Sequence, residues 1–186
     1  MSTHASRHRR RSRAPIPLAT LVVTLGLGTA AAAEPEPITA VPLTERHVFS
    51  GPVSVQLTQE LDGLTRHEVE IPDASTLIVM EFTIQPGAIF PWHTHPGTVL
   101  VSLAEGELDF IFAEDCTARR LVPGTAIVDP GNEVHTARNP GDAPAVVIAT
   151  LLGAPAEGGL TLPVAADEAT ALDARCDIDT PGEHTH

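Results

Sequence analysis

Several stretches of the chain alternate apolar and polar residues with a period of two. Val53 to Leu57 does so, and Arg66 to Ile71 does so less cleanly. This is the pattern of a strand with one buried face. Leu77 to Ile84 is longer and rich in β-branched residues, and it stops at Gln85-Pro86-Gly87. Val99 to Leu103 and Glu107 to Phe112 flank Glu105-Gly106, which reads as a hairpin turn. Further strands are expected at Arg120 to Val122, Ala126 to Asp129, Val134 to Ala137 and Ala145 to Leu152, punctuated by Pro123-Gly124, Pro130-Gly131 and Asn139-Pro140-Gly141-Asp142. Many short strands with a turn signal every eight to twelve residues imply an all-β barrel or sandwich. Asp167 to Asp173 carries a weak helical pattern, and no internal repeat is visible.

The first 33 residues follow other rules. Arg7, Arg9, Arg10, Arg11 and Arg13 form a basic head, an apolar run from Leu18 to Gly28 follows, and Ala30 to Ala33 are small. This is the layout of a secretory signal peptide, with cleavage expected after Ala33; an uncleaved anchor is the alternative. The expected organisation is therefore a signal peptide at 1–33, a flexible Pro-rich lead-in at 34–50, a β-barrel domain at 51–153 and a loop-rich acidic tail at 154–186. The formal net charge is −13, and beyond the basic head it is more negative still. Such a surface repels nucleic acid and anionic lipid. The expected location is secreted or extracytoplasmic, with no membrane association after cleavage. In such a compartment Cys116 and Cys176 are expected to form a disulfide, two free thiols being the alternative.

The chemistry lies in three histidines. His93 and His95 sit in Gly87-Ala-Ile-Phe-Pro-Trp-His93-Thr-His95-Pro-Gly97. His135 sits in Gly124-Thr-Ala-Ile-Val-Asp-Pro130-Gly-Asn-Glu-Val-His135-Thr-Ala-Arg-Asn139. Neutral imidazole is the commonest metal ligand. Residues i and i+2 of a strand face the same way, so a third histidine from a distant strand can close a facial triad with open coordination positions.

These two stretches resemble the two motifs of the cupin superfamily. Gly87, His93, His95 and Gly106 fit the first; Gly124, Pro130, His135 and Asn139 fit the second, with Asn132 where a glycine is expected. The resemblance spans roughly residues 75 to 152. It implies a double-stranded β-helix, a jelly-roll-like barrel, with the site inside. It also implies a fourth ligand, a glutamate, at the position occupied here by Val99. Some three-histidine cupin-type iron dioxygenases lack that glutamate. The expected site is therefore His93, His95 and His135 around one divalent ion (Fe, Zn, Mn, Ni or Cu, iron first among them), with neutral ligands that leave room for an anionic chelating substrate. The expected partner is a small-molecule substrate or ligand, with a homodimer left open. Two functions follow: a dioxygenase-type or other metal-dependent enzyme acting on a small molecule, or a non-catalytic small-molecule-binding or sensing module.

Among the other residues, Phe110 and Phe112 read as core, and Trp92 as packing at the barrel mouth. Phe90 reads the same way, and for both a substrate wall is the alternative. Asn139 reads as tying down the turn after the second motif. Glu81 and Arg138 are candidate pocket residues. His47 and His67 read as solvent-exposed, and His184 and His186 as a tail pair without a supporting strand.

Overall fold

The computed structural model describes residues 35–61 and 66–181. The expected signal peptide, with its cleavage site after Ala33, and the tail pair His184 and His186 lie outside the described residues. In chain order the elements are β1 (Ile38–Pro42), β2 (His47–Val48), β3 (Val55–Gln59), β4 (His67–Ile71), β5 (Thr76–Ile84), β6 (His93–Thr94), β7 (Thr98–Glu105), β8 (Leu108–Phe112), β9 (Ala118–Leu121), β10 (Ala126–Asp129), β11 (His135–Arg138), β12 (Ala145–Leu152), β13 (Leu162–Pro163) and α1 (Ala166–Cys176).

Two antiparallel sheets form the barrel. One runs β1-β5-β12-β7-β10, with β2 also on β5; the other runs β13-β6-β11-β8-β9. β3 and β4 form a separate two-stranded sheet. Alternation decides which side chains face inward. On β12, Ala145, Val147, Ala149 and Leu151 are buried while the residues between them are half-exposed. Val99, Val101 and Leu103 do the same on β7. With Ile84, Leu108, Phe110, Phe112, Ile127 and Ala137 they make one apolar cluster drawn from both sheets. Each buried Val, Leu, Ile or Phe side chain in it stabilises the fold by about 1.5–3 kcal/mol relative to exposure. The architecture is a double-stranded β-helix, as the resemblance implied.

The expected hairpin at Glu105-Gly106 is a turn between sheets instead: β7 belongs to the first sheet and β8 to the second, and the two strands do not pair. Gly106 has φ +76, and a Cβ there would meet the Ala145 Cα and the Pro144 carbonyl at 2.7 Å. The turn therefore demands glycine. Asn139 ties its turn as expected. Its Nδ2 donates to the Ile84 carbonyl at 2.9 Å and the Ala143 carbonyl at 2.8 Å, and its Oδ1 accepts from Gly141 N–H at 2.9 Å.

Two segments differ from expectation. The lead-in at 34–50 supplies β1, which pairs with β5 from Ile38↔Ile84 to Pro42↔Met80, and β2, which pairs His47 with Leu77. The exposed edge of β5 satisfies these backbone groups, which composition alone does not reveal. His47 is exposed. The tail is also more ordered than a loop. It holds β13 and the eleven-residue helix α1, closed by Asp177 in the left-handed conformation. This helix buries Leu172 against Trp92, Ile111 and Ala113 on the outer face of the second sheet. Its hydrophobic stripe is narrow because one residue does most of the burying, which explains the weak sequence signal. Among the described residues no helix is long and apolar enough to cross a membrane.

The two cysteines are bonded, Cys116 just after β8 and Cys176 at the end of α1, with Cα atoms 5.0 Å apart. Arg175 reinforces this junction by donating to the Ala113 carbonyl.

Candidate metal centre

β6 and β11 pair so that His135 stands directly across from His93. His95 follows two residues later, where its backbone N–H donates to the Gly131 carbonyl at 2.7 Å. One donor atom from each of His93, His95 and His135 can be chosen so that all three lie within 4.8 Å of one another. The imidazole centroids are 4.3 Å apart for His93 and His135, 4.9 Å for His93 and His95, and 5.2 Å for His95 and His135.

The other ring nitrogens are engaged. His93 Nδ1 lies 2.7 Å from the Pro91 carbonyl, His95 Nδ1 2.6 Å from the Leu160 carbonyl, and His135 Nδ1 3.0 Å from the Glu133 carbonyl. A carbonyl oxygen only accepts, so each Nδ1 carries the proton. Each Nε2 is left with its lone pair, as metal-bound histidines require. Burial holds the His93 imidazole down to a pKa of about 3, helped by the charge of His135 nearby and opposed by the Pro91 carbonyl. Burial likewise lowers His135 to about 3, against the Glu133 carbonyl. Both rings are therefore neutral near pH 7. The donor set fits a single metal ion.

The histidines line a cavity of about 200 Å³. Thr161 is the other polar residue in its wall; the rest is apolar, including Met80, Phe82, Phe90, Val99, Val101 and Phe110. Phe110, expected as core, is both core and wall, stacked on His135. Phe90 lines the cavity, while Trp92 turns away and donates its Nε1–H to Asp173 Oδ1 at 2.8 Å. Glu81 and Arg138 are not among the residues lining the cavity. Arg138 instead reaches Asp109, a carboxylate that is 4% exposed and also bonded to Arg120. The period of two explains this: Glu81 and Arg138 occupy the strand positions between the inward-facing ones.

Two contributors escaped the sequence reading. The Leu160 carbonyl orients His95 from a stretch read as tail. Asp129, on β10, is fully buried and places Oδ2 3.5 Å from His95 Nε2 and 3.4 Å from His135 Nε2. The sequence signal was its place two residues after Ile127, on the same face of β10, where both side chains are buried.

A double-stranded β-helix with a three-histidine cluster inside defines the class. Residues 80–151 match the family described as "Cupin domain". A rhicadhesin receptor from Pisum sativum is 39% identical over 85 residues, 42% of this chain and 39% of that protein. A germin-like protein, subfamily 2 member 1, from Arabidopsis thaliana is 40% identical over 85 residues with the same coverage. The match thus spans about two fifths of the length of these curated relatives. Among solved structures, a cupin-like protein from Thermotoga maritima is 24% identical, with TM-score 0.41, over 52% of this chain and 72% of that one. The Cupin_2 domain of an XRE family transcriptional regulator from Enterobacter cloacae is 19% identical, with TM-score 0.41, over 64% and 99%.

Proposed function

We propose that His93, His95 and His135 hold one divalent metal ion and that a small, largely apolar molecule binds beside it as the substrate of a metal-dependent enzyme, of dioxygenase type in the first instance. The observation that carries this reading is the shared tautomer: three Nδ1–H groups spent on three carbonyls, and three Nε2 lone pairs left for one ion at an apolar cavity. A bound iron would supply open coordination positions and Lewis-acid and redox chemistry; imidazole suits zinc, copper and nickel as well. The chain's own residues do the rest. Burial keeps His93 and His135 unprotonated. Phe90, Val99 and Phe110 exclude water and shape the space for the ligand. Apolar cavities of ~150 Å³ accept a benzene ring, so about 200 Å³ suits a molecule somewhat larger. The apolar wall favours this over the anionic chelator expected from the ligand set alone.

A non-catalytic binding or sensing module is the second reading. What favours it is that, among the described residues, Thr161 alone joins the histidines as a polar residue of the cavity wall. The disulfide supports an exported protein, since such bonds persist in oxidising compartments. With the basic and apolar N-terminus, it supports cleavage after Ala33 and a mature chain outside the cytoplasm.

The test is metal analysis of untagged full-length protein beside His135→Ala. About one ion per wild-type chain and little in the variant supports the site; equal content in both defeats it. Oxygen uptake with an apolar ligand found by screening the iron-loaded protein then separates enzyme from module.

A further inference from the structure

Asp129 pairs directly with Val99 across β10 and β7. Directly opposed residues of an antiparallel pair project to the same face, with Cβ atoms roughly 5 Å apart. Val99 faces the cavity and Asp129 is 0% exposed, so both point into the barrel. Position 99 is where the cupin pattern expects a glutamate. This chain has an aliphatic residue there and a carboxylate on the strand next to it.

The carboxylate is aimed. Asp129 Oδ1 accepts the Gly131 N–H at 2.8 Å, which fixes the rotation of the group. Oδ2 then lies 3.5 Å from His95 Nε2 and 3.4 Å from His135 Nε2. Ligands ~2.1 Å from one ion stand ~3.0 Å apart at octahedral angles and ~3.4 Å apart at tetrahedral ones. The observed spacings match the tetrahedral edge. Because each histidine donates through Nδ1, the Nε2 atoms present lone pairs toward the carboxylate oxygen. Acceptors converging on one point in a low-dielectric interior repel one another unless a cation sits between them.

We propose that Asp129 is a fourth protein ligand of the metal, supplying from β10 the carboxylate that position 99 lacks. This deepens the three-histidine reading and rests on it. The consequence is selectivity: a carboxylate oxygen adds affinity for harder ions such as Mn(II) and Fe(II) over a purely imidazole site, and it lowers the net charge of the loaded centre by one.

The experiment uses the full chain and the metals alone. Mn(II) and Co(II) are titrated into wild type, Asp129→Asn, His135→Ala, Val99→Glu and the double variant Val99→Glu/Asp129→Asn. Asparagine keeps an oxygen for Gly131 N–H, and circular dichroism with thermal unfolding of the metal-free proteins checks that the fold is retained. The expected result for Asp129→Asn is a Kd for Mn(II) raised about tenfold or more, with a changed Co(II) visible spectrum. The double variant is expected to recover most of the loss, because it returns a carboxylate to the opposing position. If Asp129→Asn does not fold, the arm that decides is Val99→Glu in the wild-type background. It is expected to gain little when Asp129 already binds and about tenfold or more when it does not. Metal lost in His135→Ala but unchanged in affinity and spectrum in Asp129→Asn overturns the proposal while the three-histidine site stands; a proton held between Asp129 and a histidine would give that outcome. No metal bound by wild type overturns both.

Discussion

Phe110 lies flat against His135, the two ring centroids 4.8 Å apart and the planes 13° from parallel. The residues come from neighbouring strands, and His135 is 2% exposed in consequence. The stacking ties core to site: the ring that fills the barrel also fixes the plane of one of the three clustered imidazoles.

Phe110→Ala should therefore affect stability and site together. Removing a buried phenyl ring costs about 3–5 kcal/mol, read as a lower denaturation midpoint. The same variant should bind larger apolar ligands and hold metal more weakly, since His135 loses its support. Phe110→Leu should recover most of the stability. Unchanged ligand size preference in Phe110→Ala, measured by competition binding, would remove Phe110 from the cavity wall.

Metal-free protein should lose stability in acid from the histidines. The folded pKa values of His93 and His135 are lowered to about 3 from 6.5. Between those values the unfolded chain binds more protons than the folded one, so stability is fully present above about pH 6.5 and falls as the pH drops toward 3. Unfolding in urea from pH 7.5 to 4 follows it. A variant with both histidines replaced by Gln should show a flatter profile, and equal slopes would argue against buried neutral rings.

Reducing the Cys116–Cys176 bond should destabilise the protein by about 4 kcal/mol on the chain-entropy account, for a sequence separation of 60. Helix α1 should loosen first. Its loss reaches the site indirectly, because Trp92 adjoins His93 and bonds to Asp173 of that helix. Differential scanning calorimetry with and without reductant, followed by metal titration, should show a lower transition with binding weakened far less than by His135→Ala.

Gly131→Ala should disturb two contacts at once. Gly131 has φ +99, and an added Cβ would come within 2.5 Å of the Gly97 carbonyl oxygen. Gly131 also donates to Asp129 Oδ1 and accepts from His95 N–H. Lower thermal stability and weaker metal binding are expected together. A variant with wild-type affinity would show that this turn does not position His95.

The barrel was legible in the chain because each strand carries its own evidence. Alternation on β7 and β12 names the inward residues, and turn residues such as Gly106 and Asn139 mark where the chain must reverse. The three histidines were legible through the spacing of their flanking glycines, prolines and asparagine. Tertiary structure alone decided the rest. β1 and β2 exist because β5 offers an unpaired edge, which no local pattern announces. Helix α1 exists because Leu172 has Trp92 to cover. Asp129 enters the centre only because β10 lies beside β7 in register, thirty residues after the position where a carboxylate was expected. Sequence fixes which side chains a strand offers to a face; which strands share that face is set by long-range pairing, and with it the full set of groups around the three histidines.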